Sequence, residues 1–451
     1  MKLLFIIPEY PPHSGGGIAT FYRDILSKIS DQGHLVNILV GSAFTSKLPS
    51  YVKDGVKVDF LDTDLVNLYL HKFSHYRAIP ELQRHLAAAW AAWEQVKGGD
   101  GYDLVEVTDW GMLFAPWLVS PNSPHTVVQL HASIGQIDFY DPMIDSQLQG
   151  NFVRLLESGL LSCADELQTY SQSNAKAWQQ LTNRDVRYIP PSLTLDIVSS
   201  PQNYHQSNSA NGLAVGRIQY WKGVTVLCEA LRLLGDRAPN IDWIGRDTVY
   251  CDSKSLMSNH LVQNYGDIWQ NKILPLGTFS PEITRQYQAK AKFILVPSTW
   301  DVFNYTCVEG MAQGKVVLCS EGAGAAGLIR NGINGLTFKA NDPQSLATCI
   351  ETVMSWSASK LDEVGSIAKE TINEKLAPEL IAQKRIEAYK DLINRGKYPV
   401  KPNQWLVDAV SPQKKLDTPL AFLDRLPLRE LVNYIINRSL TKALRKKLNK
   451  Q

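Results

Sequence analysis

Cysteine is scarce in this chain, and what there is does not pair. Six cysteines, at 163, 228, 251, 307, 319 and 349, stand among 451 residues. None has the Cys-x-x-Cys or Cys/His spacing of a zinc site, and most sit in apolar company. That usage argues against a disulfide scaffold and implies buried free thiols in a reducing, cytoplasmic compartment. Long apolar runs are missing too. The opening run Leu3 to Ile7 stops at Pro8-Glu9, too short for a signal-peptide core, and nothing approaches the ~18 apolar residues of a membrane helix. Charge of one sign is not in excess. A formal net charge of +2 gives no global reason to expect nucleic acid. There is no Gly-x-Ser-x-Gly turn to carry a hydrolase nucleophile.

What is present is a repeated alternation of short apolar runs and helical stretches. In the first half the runs are Leu3–Ile7, Val36–Val40, Val56–Phe60, Leu104–Val107, Thr126–Leu130 and Glu166–Thr169. Strands spaced by helices imply βαβ units and a parallel sheet. A polar, turn-rich stretch around 199–211 reads as a linker. The alternation then resumes with Gly212–Val215, Ile241–Ile244, Ile273–Leu276, Phe293–Val296, Val316–Cys319 and Leu336–Phe338. The expected class is α/β with two Rossmann-like domains: residues 1–195, a linker at 196–211, residues 212–385, and C-terminal helices over 386–451 that partly return to the first domain. The end of the chain, 428–448, combines apolar residues at helical spacing with Arg429, Arg438, Lys442, Arg445, Lys446 and Lys447. It is read as a docked helix with a solvated basic face, the alternative being peripheral contact with an anionic membrane or acidic partner.

Four segments carry candidate chemistry. Asp301 lies in a loop after a strand, and Glu309 lies eight residues on, about two turns into a helix. In an enzyme that handles a nucleotide sugar, the loop carboxylate can meet sugar hydroxyls, the helix N-terminus a diphosphate, and the second carboxylate both ribose hydroxyls. Phe303, Asn304, Tyr305 and Thr306, between the acids, are therefore expected against the donor. Gly216-Arg217 and Lys222-Gly223 follow the first strand of the second half, where two cations can grip a diphosphate and neutralise a leaving group. Gly15, Gly16 and Gly17 sit between the first strand and a helix, allowing close backbone approach to an anion. His131 closes an apolar strand, so it is placed at the carboxyl end where ligands of such sheets bind; Glu106 and Asp109 end another. Asp62-Thr63-Asp64 has a metal-holding Asp-x-Asp form, but its polar setting favours a chance occurrence, and no metal site is expected.

In order and spacing these elements resemble glycosyltransferase family 4, whose usual acidic pair is Glu, seven residues, Glu. The resemblance covers about residues 1–395 and implies the GT-B architecture. It places Glu309 on the ribose, Arg217 and Lys222 on the diphosphate, and Asp301 with His131 on the donor sugar. Gly245 stands in the turn over which the base lies, and the Gly15–Gly17 loop closes from the first domain. It departs from the family pattern at Asp301 for Glu, Asn304 for Gly, Pro191 for Asn and Gly327 for a frequent acid. What it implies is a retaining, metal-independent hexosyltransferase without a cofactor. The donor would be a UDP- or GDP-sugar, and the acceptor a glycan, lipid-linked or small molecule. A nucleotide-sugar epimerase or hydrolase, or a binding pseudoenzyme, is the alternative.

Overall fold

The computed structural model describes residues 1–12, 16–46, 48–141, 147–194, 210–250 and 255–412, with scattered positions between 428 and 440. The first sheet is built from β1 (Lys2–Ile7), β2 (Leu35–Val40), β3 (Tyr51–Lys53), β4 (Val56–Phe60), β5 (Leu104–Thr108), β6 (His125–Leu130), β7 (Glu166–Thr169) and β8 (Val186–Tyr188). Its order is β3-β4-β2-β1-β5-β6-β7-β8, parallel except for the β3–β4 hairpin at its edge. The second sheet takes β9 (Ala210–Val215), β10 (Asn240–Ile244), β13 (Ile273–Gly277), β14 (Phe293–Val296), β15 (Val316–Ser320) and β16 (Leu336–Phe338), the numbers between belonging to the hairpin β11 (Val249–Tyr250) and β12 (Ser255–Leu256). Its order is β13-β10-β9-β14-β15-β16, all parallel.

Central strands such as β5 and β14 are buried along their whole length, because helices cover both faces of each sheet. That is why they read as unbroken apolar runs. In both sheets the sequence order reverses beside the first strand, and such a switch point opens a crevice at the strands' carboxyl ends.

The helix Pro378–Arg395 returns to the first domain and packs along the first helix, Gly17–Asp31. The expected boundary at 385/386 thus falls inside a continuous helix. Arg385 pairs with Glu106 of β5, both side chains fully buried. The helix Gln404–Val410 is stitched to the same domain: Tyr76 Oη donates to the Ala409 carbonyl at 2.6 Å, and Trp90 Nε1 to that of Val410 at 2.6 Å. The described cysteines are free.

Most of the linker and of the basic tail lies outside the described residues. Where the tail is described, Leu428, Val432, Ile435, Ile436 and Leu440 are helical and 46–64% exposed. Leu431 and Leu444, at the same helical spacing, lie outside the described residues. No helix among the described residues is long and apolar enough to cross a membrane.

Candidate active site

The segments that leave β9 and β14 are laced together. Gly223, at φ +79, presses on the Pro297 carbonyl, where any Cβ would collide, so a glycine is needed. Thr299 N donates to the Trp221 carbonyl at 2.9 Å. These contacts bring Lys222 to Asp301, with Nζ 2.5 Å from Oδ2. Asn304 Nδ2 donates to the same oxygen at 3.1 Å. Arg217 is exposed beside this pair, its guanidinium 5.6 Å from the Trp221 ring centroid, with Asp301, Arg246 and Glu9 as charged neighbours.

The helix Tyr305–Ala312 starts at this pair. Asn304 is its N-cap at φ +80, and no side chain caps it. Asn tolerates positive φ better than other side-chain-bearing residues, which accounts for its standing where glycine is usual. The first-turn N–H groups lack a side-chain cap, as an anion site requires. Half-buried Glu309 accepts from Gln288 Nε2 at 3.2 Å through Oε2, and Gln313 Nε2 in turn donates to Gln288 Oε1 at 2.6 Å. Oε1 of Glu309 takes no bond among the described residues. Burial pushes this carboxyl up, while the Gln288 bond and the cations Arg285 and Arg23 pull it down.

Two expected donor contacts are corrected. Phe303 is 2% exposed and packs edge-on against Tyr170, with ring centroids 5.6 Å apart, and Thr306 Oγ1 donates to the Val215 carbonyl at 3.2 Å. Both side chains hold the loop and helix in place, because the loop must be anchored to aim Asp301. Tyr305 lies edge-on to Phe303 and is half-buried. Gly216 and Gly245 meet backbone to backbone, since a Cβ on Gly245 would strike the Gly216 carbonyl. Gly322 and Gly324 support the Asp301 loop through Asp301 N to Gly322 O at 2.9 Å and Gly324 N to Asp301 O at 3.0 Å.

On the first-domain side, Gly15 lies outside the described residues, while Gly16 and Gly17 begin the helix Gly17–Asp31. Its first turn is already served by an internal anion. Glu9 Oε1 accepts from Ala19 N at 3.0 Å, and a Cβ on Gly16 would collide with that carboxylate. Glu9 thus takes up one of the first-turn N–H groups of this helix.

His131 follows β6 and is 4% exposed. Its Nδ1 lies 3.0 Å from Tyr170 Oη and its Nε2 3.4 Å from Tyr22 Oη. Burial, and then the Arg385 charge, hold it well below the usual histidine range. Asp109 Oδ1 accepts from His131 N at 2.8 Å, and burial pushes its carboxyl up to about 7. Glu106 is wholly buried in its ion pair, so neither acid is an open acceptor contact. Asp62 caps a helix by accepting from Asp64 N at 2.9 Å, which gives the Asp-x-Asp segment a structural cause. Among the described residues no three His, Cys, Asp or Glu side chains are grouped as a metal site would need.

Sequence reading missed Tyr170, Gln288 and Arg385. Tyr170 follows directly on β7, so the strand-end rule that selected His131 would have found it. Arg385 meets Glu106 across 279 residues of chain, and no local pattern signals such a pairing.

Residues 210–355 match the model of the family described as glycosyl transferases group 1. An uncharacterized glycosyltransferase of Methanocaldococcus jannaschii is 23% identical over 418 residues, 86% of this chain and 98% of the relative. Sucrose-phosphate synthase from Thermosynechococcus elongatus superposes with a TM-score of 0.68 at 17% identity, covering 88% of this chain and 100% of the other. Anabaena HepE in complex with UDP-glucose gives a TM-score of 0.61 at 18% identity, covering 87% and 100%. At these identities the structures speak for the fold alone, which is GT-B. The stretch of the chain that holds Arg217, Lys222, Asp301 and Glu309 is thus the stretch that matches the glycosyl transferases group 1 family.

Proposed function

We propose that this glycosyltransferase takes a nucleotide-diphosphate hexose, UDP- or GDP-linked, and transfers the sugar with retention of anomeric configuration and without a metal ion. One observation carries the reading: the Lys222–Asp301 pair sits at the start of the helix that bears Glu309, with Arg217 beside it. Glu309 Oε1 takes the ribose hydroxyls. Arg217, Lys222 and the first-turn N–H groups of Tyr305–Ala312 hold the diphosphate. Asp301 turns to the sugar as the phosphates draw Lys222 away. His131 lies next to the sugar on the first-domain side. The anomeric C–O bond breaks with its electrons going to the diphosphate, whose charge the two cations stabilise. The acceptor oxygen bonds to the same face of the anomeric carbon, and its proton passes to the leaving phosphate. The solved relative that contains UDP-glucose supports a donor of this class.

The test is a panel of UDP- and GDP-sugars with release of nucleoside diphosphate as readout, in the presence of chelator. Turnover of one donor is expected. Turnover that vanishes with chelator and returns with manganese would overturn the metal-free reading, and sugar epimerised with no nucleotide released would make the protein an epimerase.

A further inference from the structure

Around a neutral His131 the hydrogen bonds leave one consistent arrangement of protons. Glu106 is an ionised acceptor, because Arg385 Nη2 donates to its Oε2. Tyr389 Oη donates to Oε2 at 2.6 Å, and Tyr22 Oη donates to Oε1 at 2.8 Å. Burial and the Glu106 charge keep the Tyr22 hydroxyl protonated. A hydroxyl has one proton to give. With it committed to Glu106, the Tyr22 oxygen can only accept from His131, so Nε2 carries the ring's hydrogen. A second proton on Nδ1 would make a buried imidazolium facing the Arg385 charge; without it Nδ1 is a lone pair, and Tyr170 Oη donates to it across 3.0 Å. Tyr170 packs on Phe303 and lies close enough to Asp301, Tyr305 and Glu9 to feel their charges. The same chain thus ends beside the Asp301 loop.

We propose that Tyr22 and Tyr170 are positioning residues that fix His131 as a neutral imidazole protonated on Nε2, with the returning helix setting that state through Arg385 and Glu106. The proposal rests on His131 adjoining the donor sugar. It assigns Tyr170 as the group through which the imidazole acts on the cleft, since both ring nitrogens are engaged by tyrosines. The charged and titratable groups facing the ring come from each packed element. They are Tyr22 from the first helix, Glu106 from β5, Tyr170 after β7, Asp109 through the backbone, and Arg385 with Tyr389 from the returning helix. A buried imidazolium would meet the Arg385 charge with Glu106 already shared three ways. Removing the cation reverses that balance, because Glu106 is then left as an uncompensated buried anion that favours a proton on the ring.

The experiment is nitrogen-15 NMR of histidine-labelled full-length protein, followed by UDP-glucose and GDP-mannose turnover. His131 is expected to give an Nε2–H signature that does not change between about pH 5.5 and 8, where a free histidine titrates. Arg385→Gln should make the ring titrate in that range, and Arg385→Lys, which keeps the charge, should restore the neutral form. Tyr170→Phe should lower turnover roughly tenfold while leaving the affinity for UDP or GDP unchanged. An Nδ1–H signature, or a wild-type ring that titrates near the ordinary value, would overturn the proposal. So would a Tyr170→Phe protein with unaltered turnover. The NMR readout needs no donor. Failure of both sugars to bind with the expected tautomer in place would therefore count against the donor assignment alone.

Discussion

Glu157 shows how far surroundings decide a residue's state. Its Oε2 accepts from Gly135 N at 2.9 Å, and burial pushes its carboxyl up to about 8 against the pull of the nearby Ser133 hydroxyl. A carboxyl whose folded pKa is raised binds more protons folded than unfolded between the two values. Its contribution is therefore full below the unfolded pKa and is lost as pH rises through about 8. One linked proton gives a slope approaching about 1.4 kcal/mol per pH unit. Glu157→Gln should flatten the fall in melting temperature between about pH 5 and 8, leaving the smaller share of Asp109. Equal slopes in the two proteins would refute the buried-acid account. At Lys222 the effect belongs mainly to the reaction: Lys222→Ala should raise the barrier in kcat/KM by about 3 kcal/mol, while the cost to melting temperature is limited because Asp301 keeps its bond from Asn304. Near-normal turnover in a folded variant would remove Lys222 from the leaving-group role. Residues of this kind were legible because their charge stands in short local motifs. Tyr170 and Arg385 were not, because their meaning depends on partners brought from other elements.

Among the elements, glycine positions carry the most information about how the loops are aimed. Gly324 is pressed between the Val302 carbonyl and Ser171, and a Cβ there would overlap both. Gly324→Ala should cost about 1–3 kcal/mol and shift the Asp301 loop, read as a lowered melting temperature together with weakened donor turnover. An unperturbed protein would mean that this close approach is not needed. The central strands were legible to within a residue or two, since burial on both faces leaves unbroken apolar runs. The strands β3 and β8 were not, because each is a short edge strand of three residues with no buried one. For the tail, apolar spacing reveals a face but not what covers it. With Leu428, Val432, Ile435, Ile436 and Leu440 exposed, deletion of residues 428–451 should leave the melting temperature unchanged. A fall of several degrees would show that the tail belongs to the fold.

At the scale of the whole molecule, each sheet has its own switch point, and the chain returns from the second domain to the first in the helix Pro378–Arg395. The return buries Arg385 against Glu106, so the segment that follows the second domain also sets the electrostatics around His131. The second domain was more legible than the first because its cations, acids and glycines stand in short local motifs, whereas polar groups of the first domain such as Glu106, Asp109 and His131 are turned inward. The measurement that tests the account most directly is calorimetric titration of UDP and GDP, in chelator, into the wild type, Arg217→Ala, Lys222→Ala and Glu309→Gln. The account predicts that one nucleotide binds without metal and that each substitution weakens it about tenfold, near 1.4 kcal/mol, with Glu309→Gln losing the ribose contact. Binding that needs a divalent ion, or equal affinity in all four proteins, would contradict it.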